Sequence, residues 1–447
     1  MMFCLQRSDI DFMKINKPFP ERILSLYSRG IYTITSHQEK LANLQSSFLT
    51  GRSELLQRMG DYILTSTDAF LDHSGQQRAK FSRRMLEEFA SGSIEKCFGD
   101  DYKVLRGARY PRIPNSSLLC ISRIVDISGT RYEISPGSEI IAEFDILGNE
   151  WFLNPNGDGI IPISVLMEIA LQPCGFLSAY LGTILTIPGK DIYFRNLDGQ
   201  ATLECVINSI GKTLKTKAVL LSSASSGETV IQRYSFMVSC GDLVIFHGQS
   251  VFGYFSKESL FGLSGSGAMV DRKLDFYHHP DMTWEIVPVE SIRPDLTHII
   301  PSGRARMVDE VKYLMKAQKI EKIHAFRRIF PSDWYFRCHF YEDPVMPGSL
   351  GIEAIYQALI GTLHHAFLSD FPNLVILPEV GKVFSWKYRG QILPETDTLR
   401  LEITDIKIDT SHREFWCVDV NAFVWSADVR VYEVKGLTVQ LFLNRGS

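Results

Sequence analysis

The chain has 447 residues, of which 45% are hydrophobic and 22% are charged. This length predicts two or three domains, and this balance excludes a wholly disordered, collagen-like or coiled-coil protein. The formal net charge is −4, so no overall positive field favours nucleic acid as a partner.

Eight cysteines are scattered along the chain without a Cys-x-x-Cys pair or a zinc-finger spacing. They favour free thiols in a reducing compartment, and we predict a cytoplasmic protein. The first twenty residues carry charges such as Arg7 and Asp9, which interrupt any signal-peptide core. The apolar stretch 164–188 approaches membrane length but contains Glu168, so we expect a buried helix and no membrane span.

Residues 1–100 are interpreted as an N-terminal helical arm. Ser36 is a suitable N-cap for a helix in which Phe48, Met59 and several leucines recur mostly at three-, four- or seven-residue spacing. The rest of this region is polar, which is typical of an accessory segment.

From residue 102 the chain alternates between short β-rich runs and one apolar helix, and this order occurs twice. The first helix is predicted from 163 to about 181 and the second from 348 to about 368. A flexible stretch at 262–267 (GLSGSG) is a suitable linker between the two regions. The predicted strands cover residues 118–127, 139–144, 201–207, 214–221 and 230–239, then 320–330, 381–388, 399–408, 414–424 and 429–443.

The two helices begin with the same spaced pattern. Pro, Ser, Glu and Gln coincide when PISVLMEIALQ (162–172) is placed over PGSLGIEAIYQ (347–357). A Trp-aromatic pair precedes each helix, at 151–152 and 334–335, although the second loop is two residues longer. This self-similarity predicts an internal repeat in which an antiparallel sheet wraps an apolar helix.

The strongest chemical signal is the segment 334–354, WYFRCHFYEDPVMPGSLGIEA. Pro347 is a suitable helix start, so the following amides of Gly348 and Ser349 point outward at the positive end of the helix dipole. Such amides can hold a polarised carbonyl oxygen. His339 and Glu353 in the same segment can supply a base and an acid.

The run HFYEDPVMPGSLGIEA (339–354) resembles the signature of the bacterial 3-hydroxydecanoyl-carrier-protein dehydratase/isomerase family, which has a hot-dog fold. From about residue 85 to the C-terminus the chain also resembles the paired dehydratase domains of polyunsaturated fatty acid synthases. This second resemblance is carried by FASGSIEKCFG (89–99), YPRIPN (110–115), MEIALQPCGFLSAYLGT (167–183), RNLDG (195–199) and VFGYF (251–255).

The resemblance implies an α+β tandem (double) hot-dog, with two antiparallel sheets each wrapped round a long central helix. The implied domains are the helical arm at 1–100, a first hot-dog repeat at 101–265 and a second repeat at 270–447. In the simpler family each active site takes a His from one subunit and a carboxylate from the other. A fused pair is therefore expected to act as a pseudo-dimer within one chain, with a further homodimer left open.

The resemblance also assigns the site residues of the second repeat. His339 takes the position of the catalytic histidine, Gly348 that of the amide that binds the thioester carbonyl, and Glu353 that of the motif carboxylate, which is usually Asp in the simpler family. Ser349 replaces a Cys of the family pattern. Together with Gly348, we predict substrate-binding roles for Val345, Ser349 and Gln357 of the second repeat and Gln172 of the first.

The first repeat lacks the histidine. Aligned from the helix start, the corresponding position holds Asn154, and aligned from the Trp-aromatic pair it holds Asn156. Neither side chain can act as a base.

Glu168 nevertheless keeps the carboxylate position in the first repeat, with Gln172 one helical turn later on the same face. If the repeats pair about a pseudo-twofold axis, His339 meets Glu168 in one working site. Glu353 then meets an asparagine in a vestigial site.

The expected activity is dehydration of a 3-hydroxyacyl-carrier-protein thioester in fatty acid, polyunsaturated fatty acid or polyketide-type lipid synthesis, with double-bond isomerisation left open. Gly348 would polarise the thioester, His339 would remove a C2 proton, and Glu168 would protonate the departing hydroxyl. Burial in an apolar tunnel is expected to raise the pKa of this acid. The alternatives are a non-catalytic acyl-binding or scaffold subunit of a lipid synthase, and a hot-dog thioesterase.

The implied partners are an acyl carrier protein, which presents the substrate on phosphopantetheine, and other subunits of a fatty acid or polyketide synthase. No cofactor of the chain's own is expected. No metal site is expected either, because the His pairs at 278–279 and 364–365 lack further ligands. Six basic residues form either a rim for the acidic carrier or a scattered solvated face: Arg327, Arg328, Arg337, Lys382, Lys387 and Arg389.

Overall fold

The computed structural model describes residues 79–153, 159–187, 190–260, 284–289, 301, 303–316, 319–367, 371 and 374–443. These residues belong to one compact unit. Several features predicted above lie outside the described residues: the helix capped by Ser36, Asn154, Asn156, the linker at 262–267 and the histidines at 278–279.

Four helices and two sets of strands build the site and its surroundings. The helices are α1 (Arg83–Ser91), α2 (Ile94–Phe98), α3 (Ile163–Tyr180) and α4 (Gly348–Phe367). The strands of the first repeat are β1 (Arg123–Ser128), β2 (Glu139–Asp145), β3 (Ile192–Leu203), β4 (Thr213–Ser226), β5 (Thr229–Cys240) and β6 (Leu243–Ser256). Those of the second are β7 (Trp284–Val287), β8 (Glu310–Lys316), β9 (Lys319–Arg328), β10 (Val375–Pro378), β11 (Val383–Tyr388), β12 (Thr398–Asp409), β13 (Phe415–Ser426) and β14 (Val429–Phe442).

All these strands join one antiparallel sheet in the order β1-β2-β4-β5-β6-β3-β11-β14-β13-β12-β9-β8-β7, with β10 paired to β14. The two halves of the sheet have equivalent strand orders on either side of the β3–β11 pair. The equivalent strands, counted outward from this pair, are β3 and β11, β6 and β14, β5 and β13, β4 and β12, β2 and β9, and β1 and β8. The repeats meet where β3 and β11 pair, from Thr202 opposite Val383 to Asp198 opposite Lys387. The prediction of an α+β tandem hot-dog is confirmed, but the prediction of two separate sheets is wrong, because β3 and β11 pair edge to edge and join the strands of both repeats into one sheet.

The long helices lie in the core and face each other across the two repeats. Pro173 lies inside α3 and has no amide hydrogen, so the Ile169 carbonyl loses its usual helical donor. The Thr216 hydroxyl on β4 donates to that carbonyl at 3.1 Å and replaces the missing bond. Among the described helices, α3 is long and apolar enough to span a membrane, but the core helix of a soluble protein can have the same length and composition. In this structure 83% of α3 is buried inside the protein.

The described end of the predicted arm is packed into the first repeat. Leu86 and Phe89 of α1 and Phe98 of α2 are buried. The rings of Phe89 and Phe176 on α3 meet edge to face, with centroids 5.7 Å apart. Leu86 and Phe89 are three residues apart, so they lie on the same side of α1 and face the core together. The domain boundary at residue 100 stays a prediction.

Candidate active site

A cavity of about 100 Å³ opens between the repeats and takes residues from both of them. Six of the predicted site residues line it: Glu168 and Gln172 from the first repeat, with His339, Val345, Gly348 and Ser349 from the second. Glu353 and Gln357 are not part of this lining. The cavity thus brings together the histidine of one repeat and the carboxyl group of the other.

The His339 ring is held by the loop that precedes α4. Its Nδ1 lies 2.9 Å from the Val345 carbonyl oxygen, and the Val345 amide donates back to the His339 carbonyl at 2.8 Å. Because a carbonyl can only accept, Nδ1 carries the ring proton and Nε2 keeps a lone pair. Burial lowers the pKa of His339 to about 4, and the nearby charge of Arg195 acts in the same direction. The imidazole is therefore a neutral base at neutral pH.

Glu168 is only 8% exposed and is fixed by two hydrogen bonds. Ser349 Oγ donates to its Oε1 at 2.6 Å, and Gln172 Nε2 donates to its Oε2 at 2.9 Å. Gln172 is itself held by the Cys120 amide and the Leu118 carbonyl, both at 2.8 Å. Burial raises the pKa of Glu168 and outweighs the two hydrogen bonds, which lower it.

The first residue of α4 is a glycine because nothing larger fits there. A Cβ at Gly348 would lie 2.4 Å from Cζ of Tyr388. The first amides of a helix have no intrahelical acceptor, so the amide of Gly348 is available to a ligand oxygen in the cavity. The helix starts at Gly348 as predicted, whereas the role of its amide in binding a thioester carbonyl stays a prediction.

Two charged residues of the site were missed in the sequence: Arg195 on β3 and Asp343 in the loop after His339. Arg195 Nη1 and Nη2 donate to the Asp343 carboxylate at 2.6 and 2.9 Å, and Arg195 Nε donates to Gln391 Oε1 at 2.8 Å. The two charged side chains are only 11% and 15% exposed. This bidentate pair ties the first repeat to the loop that carries the histidine.

The same arrangement occurs again with the repeats exchanged. Ser164 Oγ donates to Glu353 Oε2 at 2.7 Å, and Gln357 Nε2 donates to Glu353 Oε1 at 2.9 Å. Gln357 is held by the Met307 amide at 2.8 Å and the Ala305 carbonyl at 2.7 Å. Each carboxyl group therefore receives a serine from the other repeat, as the pseudo-twofold axis requires.

The asparagine positions predicted opposite Glu353 lie outside the described residues. The vestigial character of this second carboxyl site therefore stays a prediction. Burial raises the pKa of Glu353 as it does that of Glu168.

All residues of the predicted basic rim except Arg327 are exposed. Arg327 forms ion pairs with Asp309 at 2.9 Å and Asp333 at 3.4 Å, and its side chain is 15% exposed. Arg327 is therefore neutralised by these two carboxylates and is not part of an exposed rim. Arg389 forms a longer pair with Asp198 at 3.6 Å.

Within the described ranges, no group of three or more His, Cys, Asp and Glu side chains is arranged to hold a metal ion. His364 is buried, and His365 Nδ1 lies 3.1 Å from the Tyr313 hydroxyl.

Residues 300–435 match the FabA-like domain model. Over 118 residues the chain is 33% identical to the 3-hydroxyacyl-acyl-carrier-protein dehydratase FabZ of Clostridium kluyveri. The aligned region covers 26% of this chain and 76% of that protein. The chain belongs to this dehydratase family. The family match includes the segment with His339, Gly348 and Glu353, where the sequence signature was recognised.

The match to a second, longer relative extends over both repeats. The chain is 30% identical over 385 residues to one subunit of the polyunsaturated fatty acid synthase of Thraustochytrium sp., a span of 80% of this chain and 26% of that protein. The chain thus matches about a quarter of this relative's length. Among solved structures, a putative oleoyl thioesterase from Lactobacillus plantarum aligns with 69% of this chain and 97% of its own at 10% identity, with a TM-score of 0.38, which is too low to carry an argument.

Proposed function

We propose that this protein dehydrates 3-hydroxyacyl-acyl-carrier-protein thioesters to 2-enoyl thioesters. The observation that carries the proposal is the meeting of His339 and Glu168, from different repeats, in one cavity. Burial lowers the pKa of the histidine and raises that of the carboxyl group, so both tend to be neutral. A neutral imidazole and a protonated carboxyl group are the base and acid that this elimination needs.

The proposed reaction uses each group at one atom of the substrate. The thioester carbonyl accepts a hydrogen bond from the Gly348 amide, which makes the C2 protons more acidic. His339 Nε2 takes a C2 proton, and the electrons of that bond form the C2–C3 double bond. The C3–O bond breaks as Glu168 donates its proton to the departing hydroxyl, which leaves as water. A proton then passes from the imidazolium back to the carboxylate and restores both groups.

The rest of the cavity supports an apolar acyl chain. Met167, Leu171, Phe194, Phe252 and Met346 line it. Such a lining excludes water from the reacting carbons and strengthens the hydrogen bonds to the thioester.

An acyl carrier protein is the proposed carrier of the substrate, through its phosphopantetheine arm. The FabZ relative is named for carrier-bound substrates, and the Thraustochytrium relative is part of a synthase. We therefore propose that other synthase subunits are partners, and that the chain works in the cytoplasm without a cofactor of its own. Every cysteine in the described ranges is a free thiol, which suits a reducing compartment.

The test is incubation of the chain with a 3-hydroxyacyl-pantetheine and with the same acyl group on a carrier protein. Enoyl thioester absorbance is expected to appear with both, and faster with the carrier. Release of free thiol would instead identify a thioesterase. Binding of the thioester without either product would identify an acyl-binding scaffold.

A further inference from the structure

Tyr388, the last residue of β11, buries a hydroxyl group in the active-site cavity. The residue is 8% exposed and lines the cavity together with His339 and Gly348. Its phenol oxygen is buried and has no hydrogen-bond partner among the described residues. Burying a hydroxyl without a partner costs free energy, so such a group in a cavity indicates that a ligand completes it.

The phenol lies directly against the start of α4. A Cβ built on Gly348 would be 2.4 Å from Tyr388 Cζ and 2.8 Å from its hydroxyl oxygen. The hydroxyl is therefore beside the amide that is proposed to bind the thioester carbonyl. The ring is held there by an edge-to-face contact with the buried Tyr432, whose centroid is 4.6 Å away.

We propose that the Tyr388 hydroxyl donates a second hydrogen bond to the thioester carbonyl oxygen, next to the Gly348 amide. This inference rests on the proposed dehydration. Negative charge accumulates on that oxygen when C2 loses its proton, and a second donor already in place stabilises the charge without reorganisation. Burial holds the pKa of Tyr388 well above its ordinary value, so the phenol keeps its proton and remains a donor.

The role predicts a change in rate without a loss of stability. Tyr388→Phe removes only the hydroxyl, and kcat is expected to fall by roughly 100-fold. The change in KM is expected to be small, because the added charge exists only in the transition state. The melting temperature is expected to stay the same or rise, because the variant no longer buries an unpartnered hydroxyl.

Tyr356→Phe is the matched control. Tyr356 on α4 also buries a phenol oxygen without a partner among the described residues, but it does not line the cavity. This variant is expected to keep the wild-type kcat. An equal fall in kcat for both variants would show a general packing effect and overturn the proposal.

A second measurement detects the proposed hydrogen bond from Tyr388 to the thioester carbonyl without depending on the reaction rate. The carbonyl stretch of a bound enoyl-pantetheine labelled with ¹³C at C1 is expected at lower frequency in the wild type than in water, and part of this shift is lost in Tyr388→Phe. An unchanged stretch in the variant contradicts the proposal, even if kcat falls. If the wild type forms no enoyl product, the proposed function fails, whereas the stretch of the bound thioester still reports on the hydrogen bond.

Discussion

In water, a glutamate side chain has a lower pKa than a histidine side chain. With these ordinary values, Glu168 would be negatively charged at neutral pH and could form an ion pair with a protonated His339. In this cavity burial moves the pKa of His339 down to about 4 and that of Glu168 upward. The neutral pair needed for dehydration is thereby favoured, because desolvation penalises both charged forms.

This order of titration sets the pH dependence of the reaction. We expect kcat/KM to rise with pH as His339 loses its proton near pH 4, and to fall at higher pH as Glu168 loses its own. A pH-rate profile with a stable thioester substrate measures both limbs. A low-pH limb near 6.5, the ordinary histidine value, would contradict a buried base.

Ser349 tunes this acid from across the repeat boundary. Its hydroxyl lowers the pKa of Glu168, so Ser349→Ala should raise that pKa and move the high-pH limb upward. The rate should fall by about tenfold, because the carboxyl group loses a partner that orients it.

Ser164→Ala is the matched control, since Ser164 makes the equivalent bond to Glu353. The high-pH limb should not move in this variant. Equal shifts of the high-pH limb in both variants would show that Glu168 and Glu353 both act as acids in the reaction.

At the scale of single elements, β3 of the first repeat supports the loop that carries His339. We expect Arg195→Lys to lower kcat by about 100-fold, because lysine cannot reproduce the bidentate contact with Asp343 and the loop would shift. Steady-state kinetics measures this loss.

Arg123→Lys controls for the loss of a bidentate arginine–carboxylate contact elsewhere in the protein, although this pair is more exposed, at 23% and 33%. Arg123 on β1 makes a similar bidentate contact with Asp145, at 2.7 and 3.0 Å, but does not line the cavity. It should lose stability without losing activity. If both variants keep full activity, the pair at Arg195 has no positioning role.

The helices could be predicted closely from sequence, whereas the supporting contacts could not. The matched Pro, Ser, Glu and Gln spacing predicted starts at 163 and 348, where α3 and α4 begin. That spacing is local and repeats within the chain. Arg195 and Asp343 are 148 residues apart, and no pattern along the chain pairs them before the repeats assemble.

At the scale of the whole molecule, one sheet joins both repeats through β3 and β11. The pseudo-twofold axis could be predicted because the repeats match, and it places Glu168 in the same cavity as the histidine of the other repeat. Tyr388 could not be found in this way. Its importance depends on the absence of a partner for its hydroxyl among the described residues, which only three-dimensional packing reveals.

The cross-repeat pairing is the central claim, and comparison of Glu168→Gln with Glu353→Gln tests it most directly. Both changes keep the size of the side chain and leave an acceptor for the bound serine. We predict that Glu168→Gln lowers the dehydration rate by about 100- to 10,000-fold, as expected for loss of a general acid, and that Glu353→Gln stays near the wild-type rate. A larger loss in Glu353→Gln than in Glu168→Gln would contradict the pairing of His339 with Glu168.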